Sequence, residues 1–478
     1  MKKRQHENAK KRGYVSWFRG PLLNGETLKR ILLLATTTGY QTRSFTEAAA
    51  TLGIDLVFAT DRCDRIEDPW QDAAIPIRFH EEDRSVDAIV AAARDRAIDG
   101  ILVVGDRPTV IAANAAAALG LAWHPADAAA IARHKLRTRE RLRDAGMAVP
   151  WFQQVRVDND PRLIAPTLSY PCVVKPLALS GSRGVIRADD PQSFVEAFER
   201  LRAILRSADV RQERMEAHGF VLIEGFVPGR ELAVEGLLHH GRLHVLAVFD
   251  KPDPLDGPFF EETIYVTPSS VAAGLEGSIV TAVRRAATAI GLHHGPIHAE
   301  CRVNADGVYV LEVAARPIGG LCARALRFRP RHESQDTNPA RAATNPESRT
   351  PNPDVIPLEE LLLRHALGED PIAWRREADA SGVMMIPIPR RGVFRGADDA
   401  DAARAVPHVA DVRITAKVDQ VLVPLPEGAS YLGFIFARAP MAADVDRALR
   451  AAHARLAFRI DPEVHIVGGQ IHYNHAHG

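Results

Sequence analysis

Short apolar runs alternate with amphipathic stretches near the start of the chain. Strand-like runs occupy residues 30–35, 54–59 and 100–104. Helix-like stretches cover residues 48–52, where Ser44 would be the N-cap, and residues 86–97 and 112–119. Continuous apolar runs are typical of buried parallel strands. Because strands alternate with helices, the pattern predicts a parallel, doubly wound α/β domain over residues 28–128.

A domain of this kind resembles in outline the folds that bind dinucleotides. Those folds carry a GxGxxG fingerprint directly after the first strand. Here the loop after residue 35 offers only Gly39. We therefore do not expect hydride transfer, and we interpret the domain as one that helps to hold a substrate.

The pattern changes after a helix predicted over residues 131–145, which Gly146 would end. Strand-like runs follow at residues 172–175, 185–187, 221–224, 231–238, 243–250, 297–303 and 307–314. Helices are predicted at residues 191–205 and 278–290. This mixture predicts an α+β domain over residues 129–328.

Residues 329–355 interrupt the pattern. They are rich in Pro, Asn, Arg, Thr and Ser and poor in apolar residues, which predicts a disordered insertion. Beyond them, helices are predicted at residues 358–367 and 442–456, with strands at 383–388, 421–424 and 431–437. These elements predict a C-terminal α+β domain over residues 356–470 and a flexible tail over residues 471–478.

Composition and charge narrow the function classes. Lys plus Arg and Asp plus Glu both number 60, so the net charge is zero, which argues against a dedicated nucleic-acid binder. The four cysteines are scattered without a CxxC pair, as in a reduced, cytoplasmic protein. No apolar run reaches the roughly 18 residues of a membrane span. We expect partners that are neither membranes nor nucleic acids.

The first residues of the chain are basic. A signal peptide would continue with an apolar segment of about 7–15 residues. Here Gly20-Pro21 and Asn24-Gly25 intervene instead. We predict that residues 1–27 form a disordered basic extension. The sequence carries no signal of an oligomeric state, and a homodimer is left open only because it is the commonest soluble homo-oligomer.

The stretch over residues 298–317 is the most informative one. Residues 304–307 read Asn-Ala-Asp-Gly between two alternating runs, which predicts a β-hairpin. With a loop of residues 305–307, Asn304 would pair with Val308, and Glu300 would lie opposite Glu312. Because side chains alternate along a strand, both carboxylates would be on one face of the sheet.

Two opposed carboxylates call for an explanation, because they repel each other and are costly to bury unpaired. A divalent cation removes both problems, and two carboxylates with phosphate oxygens suit Mg²⁺. Arg316, beyond Glu312, would share that face and could grip a phosphate. Two alternatives stay open. In the first, Glu300 and Glu312 would lie at an exposed sheet edge, and Arg316 would pair with one of them. In the second, the strand register would be shifted by one residue, which would put the two carboxylates on opposite faces of the sheet.

Two segments around this hairpin carry a family resemblance. Gly295-Pro-Ile-His-Ala-Glu300 and Leu311-Glu-Val-Ala-Ala-Arg-Pro-Ile-Gly-Gly-Leu-Cys322 resemble ATP-grasp carboxylate–amine ligases, and among these the L-amino-acid ligase branch. The resemblance extends over residues 29–470 except the insertion. It implies a pre-ATP-grasp domain, an ATP-grasp core of two α+β subdomains and a C-terminal domain that completes the ligase.

The resemblance also implies a nucleotide site. Lys135 would contact the nucleotide, Lys175 would reach the phosphates and Glu231 would accept the ribose hydroxyls. The loop that closes over the phosphates would contain Ser180, Gly181, Ser182 and Gly184, and the hinge that holds adenine would contain Glu224, Gly225, Phe226 and Val227. Taken singly, each position also has an ordinary structural explanation, such as a strand-end lysine or a turn glycine.

The resemblance implies a reaction as well. ATP would activate a carboxylate, that of an amino acid, as an acyl phosphate, and an amine would then displace phosphate to form an amide or dipeptide. Mg²⁺, or Mn²⁺ in its place, would bind Glu300 and Glu312, while Lys175 and Arg316 would be catalytic. The substrate site would contain His298, Arg316, Gly319 and Gly320. The loop over residues 251–262 either lines the acceptor site with His298 or is a surface Ω-loop.

One position departs from the family pattern Glu-x-Asn-x-Arg. Ala314 stands where the asparagine adds a metal ligand, so a ligand for a second ion is missing. Two other functions stay open. One is an ATP-grasp carboxylase or formate-using ligase, and the other is a non-catalytic nucleotide-binding regulatory module.

Several histidines stand close together in the sequence. His293 and His294 are adjacent, and His472, His475 and His477 lie near the end. They look like a metal patch, but no surrounding framework in the sequence supports one. We therefore interpret them as solvated side chains.

Overall fold

The computed structural model describes residues 28–36, 39–61, 74–331, 354–467 and 470–473. The predicted extension over residues 1–27 lies outside the described residues, as does most of the predicted insertion. Two borders differ from the sequence prediction. Arg329 and Pro330 belong to a strand, and so do residues 471–473 of the predicted tail.

The N-terminal domain is the parallel α/β sheet that the alternating pattern predicts. Its elements are β1 (Arg30–Ala35), α1 (Gly39–Leu52), β2 (Asp55–Asp61), β3 (Ile75–Ile77), α2 (Glu82–Asp95), β4 (Gly100–Val104) and α3 (Thr109–Leu119). The strand order is β3-β2-β1-β4. The interior strand β1 is apolar because Leu32 and Leu33 are fully buried. The first helix begins at Gly39, before the predicted N-cap Ser44.

Two helices replace the single one predicted over residues 131–145. They are α4 (Ala126–Ala132) and α5 (Lys135–Asp144). The ring of His134 accepts a hydrogen bond from the backbone N–H of Arg137 and so caps α5. Gly146 follows α5 at φ +65°, a conformation that glycine adopts readily.

A four-stranded antiparallel sheet follows. Its elements are β5 (Phe152–Arg156), α6 (Pro161–Ile164), β6 (Cys172–Pro176), β7 (Ile186–Ala188), α7 (Pro191–Leu205), α8 (Ala208–Gln212) and β8 (Phe220–Gly225). The strand order is β5-β8-β6-β7. Asp190 and Ser193 form a capping box at the start of α7, which buries Phe194 and Phe198 beneath the sheet.

The remaining elements complete the fold. They are β9 (Arg230–His239), β10 (Arg242–Asp250), β11 (Ile264–Thr267), α9 (Ala273–Ile290), β12 (Gly295–Asn304), β13 (Gly307–Ala314), β14 (Arg327–Pro330), β15 (Ile356–Pro357), α10 (Leu358–Ala366), β16 (Trp374–Arg376), β17 (Ala380–Ile386), β18 (Gly392–Asp398), α11 (Ala400–Arg404), β19 (Val409–Ile414), β20 (Val421–Leu422), β21 (Gly433–Ala439), α12 (Ala442–His453), β22 (Ala457–Asp461), β23 (Val464–Val467) and β24 (Gln470–Tyr473). Short 3₁₀ turns lie at Ala165–Thr167, Glu216–Gly219, Cys322–Ala325 and Pro371–Ala373.

An eight-stranded antiparallel sheet joins the middle of the chain to its C-terminal part. Its order is β13-β12-β9-β10-β11-β17-β21-β19. The junction is the pairing of β11 with β17, where Val266 lies opposite Gly382. Residues 129–328 and 356–470 therefore share one sheet.

Smaller sheets cover the rest of the described chain. They have the orders β15-β14-β16, β20-β18-β22 and β23-β24. Within the described residues, no helix has both the length and the apolar character needed to cross a membrane.

Candidate active site

A cleft of about 750 Å³ lies between the N-terminal domain, the four-stranded sheet and the eight-stranded sheet. It gathers nearly all of the predicted site residues. Those on its wall are Lys135, Lys175, Ser180, Gly181, Ser182, Glu224, Gly225, Phe226, Val227, Glu231, His298, Glu300, Glu312, Arg316, Gly319 and Gly320. Gly184 is not among them. A Cβ added there would lie 2.8 Å from Cδ1 of Leu201, so Gly184 permits close packing beneath the loop.

The turn of the β12–β13 hairpin differs from the prediction. Asn304 pairs with Gly307 rather than with Val308, so the loop holds only residues 305–306. The Nδ2 amide of Asn304 donates to the carbonyl of Pro228 at 3.1 Å, and its Oδ1 accepts from the backbone N–H of Asp306 at 2.9 Å. These bonds tie the tighter turn to the neighbouring loop.

Glu300 and Glu312 nevertheless lie opposite each other, as predicted. The pairing shifts between Glu300 and Cys301, which leaves Leu311 without a cross-strand partner. This bulge adds one residue to β13 and so offsets the shorter turn. The alternative that separates the two carboxylates is therefore wrong.

Glu300 lies among charged groups. The Nζ of Lys251 lies 3.2 Å from its Oε1, and carboxylate oxygens of Glu231 and Glu262 lie within 4.8 Å. Burial alone would raise the pKa of Glu300, but Lys251 and the hydrogen bond from His298 hold it well below its usual range. Burial and the charge of Glu300 raise the pKa of Glu262 to about 7.

The loop over residues 251–262 faces the cleft. Lys251 is only 5% exposed, and its ammonium contacts the carboxylates of Glu231 (2.8 Å) and Glu262. The hydroxyl of Tyr265 donates to Glu262 at 2.8 Å. Leu255, Phe260 and Glu262 line the cleft, whereas residues 252, 254 and 256–258 are exposed, so the choice between a substrate-site loop and a surface Ω-loop stays a prediction. Glu262 and Tyr265 were not assigned a role from the sequence, although the loop itself was singled out.

His298 is oriented by a buried carboxylate. Its Nδ1 donates to Glu235 at 3.0 Å, and Glu235 is fully buried. Burial alone would lower the pKa of His298, but the bonds to Glu235 and Glu300 raise it to about 9. Glu235 also accepts the backbone N–H of Ile318 at 3.1 Å. It thereby fixes the loop that holds Gly319. A lone acid within the apolar run of β9 was the sequence signal for Glu235.

Glu224 lies at the end of β8 between two cations. Arg139 donates to it from Nε at 2.9 Å and from Nη2 at 3.2 Å, and Lys175 Nζ contacts its Oε1. Burial alone would raise the pKa of Glu224, but Arg139 and Lys175 lower it to about 2. Burial lowers the pKa of Lys175 to about 8, against the opposing charge of Glu224. No role for Arg139 was predicted from the sequence.

Glu231, the predicted ribose acceptor, is held by two cations. Arg302 donates to it from Nε at 2.8 Å, and Lys251 donates from Nζ at the same distance. The guanidinium of Arg302 lies over the ring of Phe226, 5.0 Å from its centroid. This contact links Glu231 to the predicted adenine hinge.

Lys135 is the cation nearest to Glu312. Its Nζ lies 3.6 Å from Oε2 of Glu312 and donates to the carbonyl of Leu179 at 2.7 Å. Leu179 directly precedes the loop that begins at Ser180. Lys135 thus connects the metal-type carboxylate to the base of the predicted phosphate loop.

The predicted phosphate loop is a turn rich in positive φ angles. Gly181 has φ +64° and Ser182 has φ +53°. The backbone N–H of Val185 donates to the carbonyl of Ser182 at 3.1 Å, which closes the turn. Successive N–H groups in such a turn can line an anion-binding concavity.

Arg316 pairs with the N-terminal domain. Its Nε and Nη2 donate to Asp106 at 2.8 and 3.1 Å, and its Nη1 donates to the carbonyl of Pro317. Burial disfavours the charge, but Asp106 raises the pKa of Arg316. The alternative in which Arg316 pairs with one of the hairpin glutamates is wrong. Asp106 follows the carboxyl end of β4, the edge where parallel α/β sheets usually bind ligands.

Three family models match this chain. The model of the ATP-grasp domain matches residues 168–325, that of the ATP-grasp N-terminal domain residues 46–122, and that of the L-amino acid ligase C-terminal domain 2 residues 384–461. The chain belongs to the ATP-grasp superfamily. The resemblance that the sequence suggests is thereby confirmed, as is the fold.

Relatives of this ATP-grasp chain include ligases. The alanine–anticapsin ligase of Bacillus subtilis is 26% identical over 234 residues, which are 46% of this chain and 49% of the relative. An uncharacterized protein of Sinorhizobium fredii is 24% identical over 69% of this chain and 61% of its own length. The matches thus cover about half to three fifths of these two relatives.

A solved structure covers more of the chain. The crystal structure of the L-amino acid ligase from Bacillus licheniformis superimposes with a TM-score of 0.72 at 25% sequence identity. The match covers 91% of this chain and 100% of that one.

The ATP-grasp cleft contains a ligand set that suits a divalent cation. Glu300 and Glu312 offer carboxylates from adjacent strands, and carboxylate oxygens are the ligands that Mg²⁺ prefers. Ala314, the departure from the family pattern, lies opposite His298 and is buried. Its methyl group offers no ligand. The residues present therefore fit one ion held by two carboxylates.

Proposed function

We propose that this chain is an ATP-dependent, ADP-forming ligase that activates the carboxylate of an amino acid and joins it to an amine, giving an amide or a dipeptide. One observation carries the proposal. Glu300 and Glu312 lie opposite each other in a cleft that also contains Lys175 and Arg316. Two carboxylates that can bind a divalent ion, beside two cationic side chains, suit the transfer of a phosphoryl group.

The nucleotide end of the cleft would be the side formed by Lys135, Lys175 and the loop over residues 180–184. Lys175 would place a positive charge at the phosphates, and the backbone N–H groups of the loop would donate hydrogen bonds to the anionic oxygens. The hinge from Glu224 to Val227 would hold the base. Glu300 and Glu312 would bind Mg²⁺, which would neutralise charge on the phosphates.

Arg316 would act at the reacting carboxyl group. In the first step a carboxylate oxygen forms a bond to the γ-phosphorus, and ADP leaves. In the second step the amine nitrogen attacks the acyl carbon, phosphate leaves with the C–O electron pair, and the nitrogen loses a proton. The guanidinium, fixed by Asp106, would stabilise the oxyanion between these events.

The other end of the cleft would hold the substrates. Gly319 and Gly320 have no side chains, which leaves room beside Arg316. Glu262 and Tyr265 also line the cleft, where their polar groups could bind an amino group. This arrangement favours substrates that carry both a carboxylate and an amine, and the L-amino acid ligase match favours amino acids.

A phosphate-release screen tests the proposal. Purified protein, ATP and Mg²⁺ are incubated with single amino acids and with pairs, and products are identified by mass spectrometry. We expect phosphate and ADP to appear with a subset of amino acids, together with a product one water lighter than the two substrates combined. Glu312→Gln should abolish release, while Glu196→Gln, on the exposed face of α7, should not.

Other outcomes would replace the proposal. Phosphate release that requires bicarbonate or formate would indicate the carboxylase or formate-using class. Binding of ATP without turnover across all substrates would indicate a non-catalytic nucleotide-binding module. Equal turnover by Glu312→Gln and wild type would remove the basis for the metal site.

A further inference from the structure

A cluster of histidines lies at the far end of strand β9. His239 ends β9, His240 begins the following turn, His294 precedes β12, and His365 lies in α10. Eight residues separate His239 from Glu231 in the cleft, which corresponds to roughly 26 Å along a strand. None of these four histidines lines the cleft. The cluster is therefore distinct from the proposed active site.

Three of the rings converge. Nitrogen atoms of His239, His240 and His294 lie within 4.8 Å of one another. The ring centroids of His239 and His240 are 4.5 Å apart, and those of His240 and His294 are 4.8 Å apart. The sequence interpretation of His294 as a solvated side chain is wrong, because His294 is only 3% exposed.

His365 supports the other rings from a distant part of the chain. Its ring stacks on His294 with centroids 4.3 Å apart, and its Nε2 lies 3.3 Å from Nδ1 of His239. His365 is 1% exposed. Metal-binding histidines usually donate the N–H of the second ring nitrogen to a partner that fixes the orientation of the ring, and Nε2 of His365 is placed to accept from Nδ1 of His239.

The backbone holds the cluster in place. His239 pairs with Arg242 across the β9–β10 hairpin, and His240 adopts φ +49° in its turn. The N–H of Gly241 donates to the carbonyl of His293 at 2.6 Å, which ties this turn to the segment before β12. The imidazoles are thus brought together by strand pairing and by a turn, not by a flexible surface loop.

The charge surroundings favour neutral imidazoles. Within residues 74–331 and 354–467, no carboxylate lies within 4 Å of His239, His240, His294 or His365 in an ion pair. Neutral imidazole is the form that binds metal ions, and it suits Zn²⁺, Cu²⁺ and Ni²⁺, whereas Mg²⁺ prefers oxygen.

We propose that His239, His240 and His294 form a binding site for Zn²⁺, with His365 orienting them. Two nitrogen atoms bound to one tetrahedral zinc ion at about 2.0–2.1 Å are roughly 3.3–3.4 Å apart. Because the three nitrogens lie within 4.8 Å of one another, each pair needs to approach by at most about 1.5 Å, a change that side-chain rotation provides. The ion would link the β9–β10 turn to the segment before β12, and through His365 to α10.

Zinc titration of the full chain, made without a histidine tag and stripped with EDTA, tests the site. Excess Mg²⁺ is added so that it, and not zinc, occupies the oxygen ligands of the chain. Zinc that stays bound after gel filtration is measured by atomic absorption. We expect one zinc ion per chain, a raised melting temperature on zinc addition, and visible d–d bands when Co²⁺ replaces zinc. His239→Ala and His294→Ala should weaken zinc binding at least about tenfold, the scale seen when even supporting groups are removed.

Two matched controls keep the result interpretable. His453→Ala changes a half-buried histidine of α12 outside the cluster and should bind zinc as wild type does. The triple variant His472→Ala, His475→Ala and His477→Ala removes the histidines near the end of the sequence and should also retain the ion. The exposed His240 offers a further variant, His240→Ala, with little risk to folding.

Three results would overturn the zinc site. One is a stoichiometry near zero in the wild type. Another is unchanged zinc binding in folded His239→Ala, His240→Ala and His294→Ala chains, as judged by circular dichroism. The third is loss of the ion in the tail variant alone. Each leaves the proposed ligase activity untouched, because phosphate release with Mg²⁺ is measured separately.

Discussion

Arg316 donates two parallel hydrogen bonds to Asp106, from Nε to Oδ1 at 2.8 Å and from Nη2 to Oδ2 at 3.1 Å. The two residues are 210 positions apart in the sequence. The N-terminal domain therefore supplies the anion that holds the guanidinium of Arg316, which lies just after strand β13. Such a two-point pair fixes the plane of the guanidinium as well as its position.

Arg316→Ala should lower the rate of ligation by about 10²-fold or more, as loss of an oxyanion donor does. Asp106→Asn should lower it by less, because the guanidinium stays but loses its charged anchor. Steady-state phosphate release at saturating ATP measures both effects.

The matched control for this pair is Asp127→Asn, an exposed aspartate of α4. It should have wild-type kinetics. If Arg316→Ala also has wild-type kinetics, Arg316 is not the oxyanion donor. If Asp106→Asn is slower than Arg316→Ala, Asp106 acts in some way other than by holding Arg316.

Metal removal should stop turnover. EDTA should abolish ADP formation, and excess Mg²⁺ or Mn²⁺ should restore it, because the ion that Glu300 and Glu312 would hold neutralises charge on the phosphates during transfer. Glu300→Gln should raise the Mg²⁺ concentration for half-maximal activity by at least about tenfold. Mg²⁺ titrations of ADP release measure this shift.

The matched control for the metal site is Glu196→Gln, which should keep the wild-type Mg²⁺ dependence. Full activity in EDTA would exclude a role for the two carboxylates in metal binding.

The elements that the sequence predicts best are those with a strong local pattern. Strand β4 and helix α7 have the predicted bounds, because one is wholly apolar and the other begins with Asp190 and Pro191. The facing of Glu300 and Glu312 was also predictable, from alternation along the strands. The turn was not, since its shortening is offset by the bulge at Leu311.

The local sequence pattern could not predict which residues contact the predicted site residues. Asp106, Arg139 and Glu262 approach the site from different parts of the chain, and Arg139 is 85 residues from Glu224. Their positions depend on how the sheets and helices pack, which periodicity does not encode. A charged residue within an otherwise buried helix face, as Arg139 is in α5, was the only local sign.

Arg139→Met should destabilise the protein. It removes two hydrogen bonds to buried Glu224 and one to the carbonyl of Val310. Breaking a buried ion pair leaves a charge without its partner, which costs about 3–5 kcal/mol. Urea unfolding measures the loss.

Arg137→Met lies on the exposed face of the same helix and is the matched control. Its free energy of unfolding should stay within about 0.5 kcal/mol of wild type. Equal stabilities of Arg139→Met and Arg137→Met would show that Lys175 alone balances Glu224.

Turnover should fall at alkaline pH, because Lys175 loses its charge there. A lysine is charged below its pKa, and burial lowers that of Lys175 from 10.5 to about 8. Its charge is therefore lost as the pH rises past about 8, and kcat/KM for ATP, which reports groups of the free enzyme, should fall there.

The stability of the fold should not fall with the activity. Between these two pKa values the unfolded chain holds the proton that the folded one has released, so the contribution of Lys175 to the unfolding free energy rises with pH.

Lys175→Arg, whose guanidinium stays charged, should move the activity loss to higher pH, whereas Lys29→Arg at the exposed Lys29 should leave it in place. An identical alkaline limb in Lys175→Arg would assign it to another group.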